Sequence, residues 1–264
     1  PTPSSAASDV YKRQNLDLVI WPETAIPVSY TESSKNSQLF QKIQLLINQS
    51  KTPLLAGSFF KDHSLYNGAG LWLPKIGLST KYLKTMLLAF GETVPFTENF
   101  PEVQRFIKKT VPAISFFGKG SGSVPMDFQQ TKIGVNICYE GIHPNFVIDL
   151  KNKGSQIFIN LTNDSWFGKT FEPYQHLYMT LARSIEHRIP SIRSTNTGIS
   201  TAISAQGEIM ERSPLHQEWT GAYELEGHIN PPKTLYQIIG KYILAFAILI
   251  SLGLMFLFRE KSNQ

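Results

Sequence analysis

Apolar residues fall in short blocks along this chain, and the spacing within each block predicts its element. "LDLVIW", 16–21, is a nearly unbroken apolar run and predicts a strand that stops at Pro22. "SQLFQKIQLLINQS", 37–50, changes the period: Leu39, Phe40, Ile43, Leu46 and Ile47 share one face of a helix. "PLLAGSF" and "GAGLWLP" predict two further strands, "TKIGVNIC", 131–138, a third, and "KNKGSQIFINLT" another buried one. Over 174–189 the period returns to that of a helix, with Leu177, Leu181, Ile185 and Ile189 recurring every four residues. "IPSIRST" and "STAISAQGE" close the series as strands. Strands alternating with amphipathic helices predict an α/β domain, with antiparallel pairs at the hairpin-like stretches.

The pattern breaks at both ends. Residues 1–14 are small and polar without periodicity, and we expect a non-native or disordered leader there. After Pro231 and Pro232 the character changes again. Residues 242–258, "YILAFAILISLGLMFLF", are uncharged and almost wholly apolar, with Lys241 and Arg259 at their borders. About 20 residues span a bilayer and about 17 is the lower end, so a transmembrane helix is expected within 233–260. The expected division is a leader at 1–14, a catalytic domain at 15–232, that helix, and a tail at 261–264. Two basic residues precede the span (Lys233, Lys241) and two follow it (Arg259, Lys261), so charge does not orient it.

Composition adds limits. Net charge is +5, and no Lys/Arg run of nucleic-acid type is present, which argues against a nucleic-acid partner. A single cysteine excludes an internal disulfide and any multi-cysteine zinc site. The six histidines show no metal-binding spacing, and "GKGSGS", 118–123, lacks the setting of a phosphate loop. No metal and no cofactor are expected.

Three apolar blocks end in polar residues that carry chemistry. "WPETAIP" delivers Glu23, "YLKTMLLAFGETVPF" holds Lys84 and Glu92, and "GVNICYE" delivers Cys138 and Glu140. Active sites of α/β folds gather where strands end. Taken singly, a lone cysteine packs as a small hydrophobe, and a lysine among apolar residues snorkels. Taken together, they form a set. A thiol nucleophile needs a base, and a tetrahedral intermediate needs a cation or donor at its oxyanion. A carboxylate, a lysine and a cysteine supply these roles without histidine.

Glutamate, lysine and cysteine in this order resemble the carbon–nitrogen hydrolase (nitrilase) superfamily. "WPETAIP", "YLKTMLLAFGETVPF", "GVNICYEG", "NLTNDSWFGKTFEPYQH" and "RSTNTGIS" resemble its apolipoprotein N-acyltransferase branch, over about 16–230. The resemblance implies an α-β-β-α sandwich. It implies that Cys138 takes an acyl chain from a phospholipid as a thioester. Glu23 would be the general base and Lys84 the oxyanion partner. Glu92 would assist, and Tyr139 and Glu140 would shape the site. The acceptor would be the N-terminal diacylglyceryl-cysteine of an apolipoprotein. Trp166 is expected to meet a lipid chain or close a turn, and Arg193 to pair with a carboxylate or meet a head group. His176 is expected to cap or pack. A monomer is expected, and the resemblance implies a place in the bacterial inner membrane with the catalytic domain facing the periplasm.

Two departures matter. Ala89 stands where that branch usually has proline before "FGE". The chain is about half the usual length, so upstream membrane helices and the domain's first strand and helix are expected to be missing, leaving a fragment of uncertain activity. The alternatives are a nitrilase-like amide hydrolase using the same three residues, and an inactive remnant.

Overall fold

The computed structural model describes residues 16–262 except 98 and 113; the expected leader and the last two residues of the tail lie outside the described residues. Among the described residues, nine strands form two sheets. The first has the order β1 (Val19–Tyr30), β2 (Leu54–Lys61), β3 (Leu65–Leu73), β4 (Gly77–Leu83). β1 and β2 are parallel and the remaining pairs antiparallel. The second has the order β5 (Met126–Phe128), β6 (Thr131–Ile137), β7 (Ile157–Thr162), β8 (Ser191–Thr195), β9 (Thr201–Ile203). Its middle strands β6, β7 and β8 are parallel, and antiparallel strands flank them.

The sheets face each other across an apolar layer. Leu55, Ala69, Leu71 and Tyr82 of the first sheet meet Val135, Ile137, Ile159 and Leu161 of the second in one buried cluster. α1 (Gln38–Ser50) covers the outer face of the first sheet, with Phe40, Ile43 and Ile47 on Ile26, Leu54, Ala56 and Trp72. Leu39 and Leu46, expected on that same face, flank the stripe and stay exposed. α3 (Pro144–Asn152) and α4 (Glu172–His187) cover the second sheet. The result is the expected α-β-β-α layering.

Three departures from the expected elements have physical causes. β1 does not stop at Pro22 but runs to Tyr30, with register shifts between Trp21 and Ile26 and again before Ser29. Among the described residues it pairs only with β2, and a strand at that edge tolerates Pro22 and Pro27 because neither needs a ladder donor. α4 buries Pro173, His176, Leu177, Thr180, Ser184 and His187, while Ile185 is exposed. Its inward face is therefore largely polar, and it lies over a polar layer described below. α2 (Pro101–Thr110) buries none of its side chains.

α5 (Leu235–Ser262) is a single helix of 28 residues. It is tied to α4 at its root, where Thr234 Oγ1 donates to the Glu186 carbonyl at 2.6 Å and Gln237 meets His187 at 3.2 Å. The side chains of Lys241, Leu244 and residues 256–262 lie outside the described residues. Among the described residues, no helix is long and apolar enough to cross a membrane.

Candidate active site

Glu23 sits in the irregular part of β1, where Thr24 takes a left-handed φ of 54°. The neighbouring strand must come very close. A Cβ on Gly57 would lie 2.5 Å from the Glu23 Cα and the Pro22 carbonyl oxygen, so only glycine fits. The kink turns the Glu23 carboxylate inward. Its Oε1 accepts from Asn67 Nδ2 at 2.7 Å and lies 3.5 Å from Lys84 Nζ. Asn196 Nδ2 donates to the Glu23 carbonyl at 2.8 Å and holds the kink from the other side.

Lys84 follows β4 directly and is 1% exposed. A buried ammonium is costly unless it is paired. Here Glu92 lies at 2.9 Å and Glu23 at 3.5 Å. Burial works against the charge on Lys84, but Glu23, Cys138 and Glu92 outweigh it and push its proton affinity above the ordinary lysine range. Glu92 is tied in by Asn67 Nδ2 at 2.9 Å and by the Leu88 amide at 2.9 Å. Residues 85–119 form an excursion that leaves at Lys84 and returns where the Gly120 amide donates to the Lys84 carbonyl. Burial raises the proton affinity of Glu23, and Lys84 and Asn67 offset part of that rise.

Cys138 ends β6 and starts a tight turn, Cys138–Ile142, with its own φ at 52°. Non-glycine residues at such φ are uncommon and cluster at functional sites. The turn swings the chain off the sheet. Burial, followed by the charge of Glu23, pushes the Cys138 thiol up to about 11, while Lys84 and the Thr162 hydroxyl pull the other way. The thiol therefore shares an electrostatic environment with Glu23, Lys84 and Glu92.

Glu140 is fully buried and acts as a clamp. Its Oε1 accepts from Tyr82 Oη at 2.6 Å and from the Thr85 and Met86 amides at 2.6 and 3.0 Å; its Oε2 accepts from the Ile137 amide at 2.8 Å. One carboxylate thus ties the residues just after Lys84 to the residue just before Cys138. Burial raises its proton affinity, against the pull of Tyr82 and the amides. Tyr139 lies at the surface with its ring edge-on to His143 at 4.3 Å. Trp166, after β7, is 78% exposed. Arg193, expected among the substrate-binding residues, is buried and pairs with Asp164 at 2.8 Å.

Asn67 is the site residue that sequence reasoning misses. It bridges Glu23 and Glu92 from β3, and its signal is an amide inside a buried apolar strand, which must find partners. Asp164, Glu172 and His176 lie close enough to reach one cation, but the Arg193 guanidinium already occupies Asp164 Oδ2.

The arrangement combines a half-buried thiol with a buried carboxylate and an ammonium held charged. Residues 5–226 match the family described as Carbon-nitrogen hydrolase. The apolipoprotein N-acyltransferase of Bdellovibrio bacteriovorus is 43% identical over 239 residues, 85% of this chain and 43% of that protein. That of Geobacter metallireducens is 35% identical over 207 residues, 76% of this chain and 38% of that protein. The chain spans less than half the length of these two relatives. Among solved structures, Nit3 of Saccharomyces cerevisiae superposes with a TM-score of 0.58 at 18% identity, covering 80% of this chain and 78% of that one. A carbon-nitrogen hydrolase from Helicobacter pylori gives 0.57 at 17% identity, covering 78% and 76%. By sequence and by fold, the chain belongs to the carbon–nitrogen hydrolase family.

Proposed function

We propose that this centre transfers a fatty acyl chain through a thioester on Cys138, and that the chain carries the catalytic domain of an apolipoprotein N-acyltransferase. The observation that carries the reading is the buried Glu23–Lys84–Glu92 constellation acting on a thiol at a left-handed turn. With the thiol pushed up to about 11, Cys138 rests protonated at neutral pH. Deprotonation must then accompany attack, and Glu23, whose proton affinity burial raises, is the base for it. As sulfur adds to the ester carbonyl of a phospholipid, the Lys84 ammonium stabilises the oxyanion. Collapse breaks the acyl C–O bond, and Glu23 returns its proton to the departing lysophospholipid alkoxide. In the second half, the α-amine of the diacylglyceryl-cysteine acceptor attacks the thioester. Glu23 takes the amine's surplus proton and the thiolate leaves and is reprotonated, with an amide as product. All four groups come from one chain, so a monomer suffices.

Exposed apolar side chains support a lipid substrate. Phe90, Phe96, Phe100 and Phe106 project from the excursion that carries Glu92, and Trp166 and Phe171 from the loop after β7. We read the 242–258 stretch of α5 as the membrane anchor. Its described apolar side chains, including Ile243, Phe246, Leu249, Leu252 and Met255, are exposed along the helix and need an apolar surrounding. On this reading the domain works at the periplasmic face of a bacterial inner membrane.

The test is direct. The chain is incubated with phospholipid in detergent micelles and digested, and the Cys138 peptide is weighed. A fatty-acyl adduct on Cys138, absent in Cys138→Ser, is expected. An adduct that forms only from small amides would replace this reading with an amide hydrolase.

A further inference from the structure

Beneath the turn at Cys138 lies a second polar layer that acyl transfer does not use directly. The Cys138 carbonyl oxygen faces two donors, Asn160 Nδ2 at 3.3 Å and His176 Nε2 at 3.3 Å. From each donor a chain of bonds runs inward, and the two chains meet. His176 Nδ1 lies 3.1 Å from Asp164 Oδ1. Asp164 Oδ2 accepts from Arg193 at 2.8 Å, and Arg193 donates to Asn160 Oδ1 at 2.6 Å. The circuit Cys138–His176–Asp164–Arg193–Asn160 therefore closes on the carbonyl where it began.

Its members come from five places: the end of β6, α4, the turn after β7, β8, and β7 itself. All four side chains are buried, and Arg193 is 2% exposed. The packing leaves no slack. A Cβ on Gly198 would lie 2.0 Å from Asp164 Oδ2, and a Cβ on Gly141 would lie 2.6 Å from Asn136 Oδ1, to which Asn160 also donates. A carbonyl oxygen and an ionised carboxylate can only accept, so both edges form when Nε2 and Nδ1 each carry a hydrogen; burial and Arg193 oppose that charge on His176, and Asp164 and the Cys138 carbonyl favour it. Asp164, Arg193 and Glu172, whose Oε1 lies 3.7 Å from Nδ1, are the other charged groups around the ring. Fixing the carbonyl fixes the peptide that follows Cys138, and with it the left-handed backbone that aims the thiol.

We propose that His176 is a positioning residue for the Cys138 nucleophile, gripping its carbonyl while the Asp164–Arg193 pair braces the imidazole. The proposal rests on Cys138 being the nucleophile. Two conservative variants separate the two edges of the ring. Glutamine reaches as far as Nε2 and keeps a donor for the carbonyl. Asparagine reaches only as far as Nδ1, so it keeps a partner for Asp164 and drops the carbonyl.

The experiment measures iodoacetamide labelling of Cys138 by mass spectrometry across pH, on the full chain in detergent micelles, alongside thermal melts. His176→Gln is expected within about threefold of wild type, since a donor to the Cys138 carbonyl is kept. His176→Asn is expected to label at least about tenfold more slowly, as the carbonyl keeps only Asn160 and the turn at Cys138 is held from one side. The acid limb of both profiles stays at the wild-type pH, because Glu23 keeps its surroundings. Equal rates in the two variants, whether both normal or both slowed in step with melting temperature, overturn the proposal and leave His176 a packing residue. Cys138→Ser is the control on the underlying reading. No label on wild-type Cys138, or the same label on Cys138→Ser, rejects the nucleophile itself and the His176 proposal with it.

Discussion

Asn67 offers a separation of stability from chemistry that few site residues allow. Its Nδ2 donates to two carboxylates, Glu23 at 2.7 Å and Glu92 at 2.9 Å. Replacing it by leucine keeps the volume and removes the donor. A hydrogen bond to a charged group contributes about 1.5–3 kcal/mol. Losing it should raise the proton affinity of Glu23 further. The direction follows from the structure, since Asn67 now works against the rise that burial imposes on Glu23. Stability should change less. Asn67 Oδ1 is buried without a hydrogen-bond partner, and leucine removes that penalty together with the two good bonds. The assay is the pH dependence of Cys138 alkylation, whose acid limb reports protonation of the base. In Asn67→Leu the limb should move to higher pH, with the plateau little changed. A limb that stays in place while the melting temperature drops would show that Asn67 only packs, and the base assignment would lose its support.

Three further outcomes follow. Lys84→Met leaves Glu23 and Glu92 facing each other in the interior; chemical denaturation should show a loss of about 3–5 kcal/mol, and thiol alkylation at neutral pH should fall because the pull of Lys84 on the Cys138 proton is gone. Burial, then the charges of Arg183 and Lys151, hold His187 at about 4, whereas its unfolded imidazole titrates near 6.5. The unfolded chain thus binds the extra proton. Stability is full above about 6.5 and is lost as pH falls toward about 4, by up to about 3 kcal/mol, and His187→Gln should flatten that part of a pH-melting series. Ile47→Ala removes a fully buried side chain between α1 and the first sheet and should cost about 2–5 kcal/mol in denaturant titrations, with Cys138 alkylation unchanged.

The sequence shows some parts of this molecule better than others, for physical reasons. β2, β3, β6 and β7 are legible because each is buried and reads as an apolar block. β4, "GLSTKYL", mixes polar and apolar residues because one of its faces is open, and β5 is three residues long. Neither announces itself. Pro22 reads as a stop, yet an edge strand passes through it, and the kink it shares with Thr24 aims Glu23. Glu23, Lys84 and Cys138 stand out because each ends an apolar run. Asn67 and His176 do not, since an isolated amide or imidazole looks the same in sequence whether it meets water or a buried partner. Their roles depend on contacts across 44 residues to Glu23 and 38 to Cys138, which no local pattern encodes.

The charge balance of the centre explains why its thiol must be activated during the reaction and not before it. Two carboxylates and one ammonium, in the state in which Glu23 can act as base, carry one net negative formal charge. A resting thiolate would add a second, and burial would oppose it further, which is the sense of the thiol pushed up to about 11. Transfer of the Cys138 proton to Glu23 changes nothing in that total: one carboxylate is neutralised as one sulfur becomes charged, and Lys84 faces both. The negative charge then moves onto the carbonyl oxygen of the tetrahedral adduct, still beside the same ammonium. Each step relocates one charge around Lys84 and creates none. This is why replacing Lys84 should harm both folding and chemistry, whereas replacing Asn67 should mainly retune the pH at which Glu23 can act.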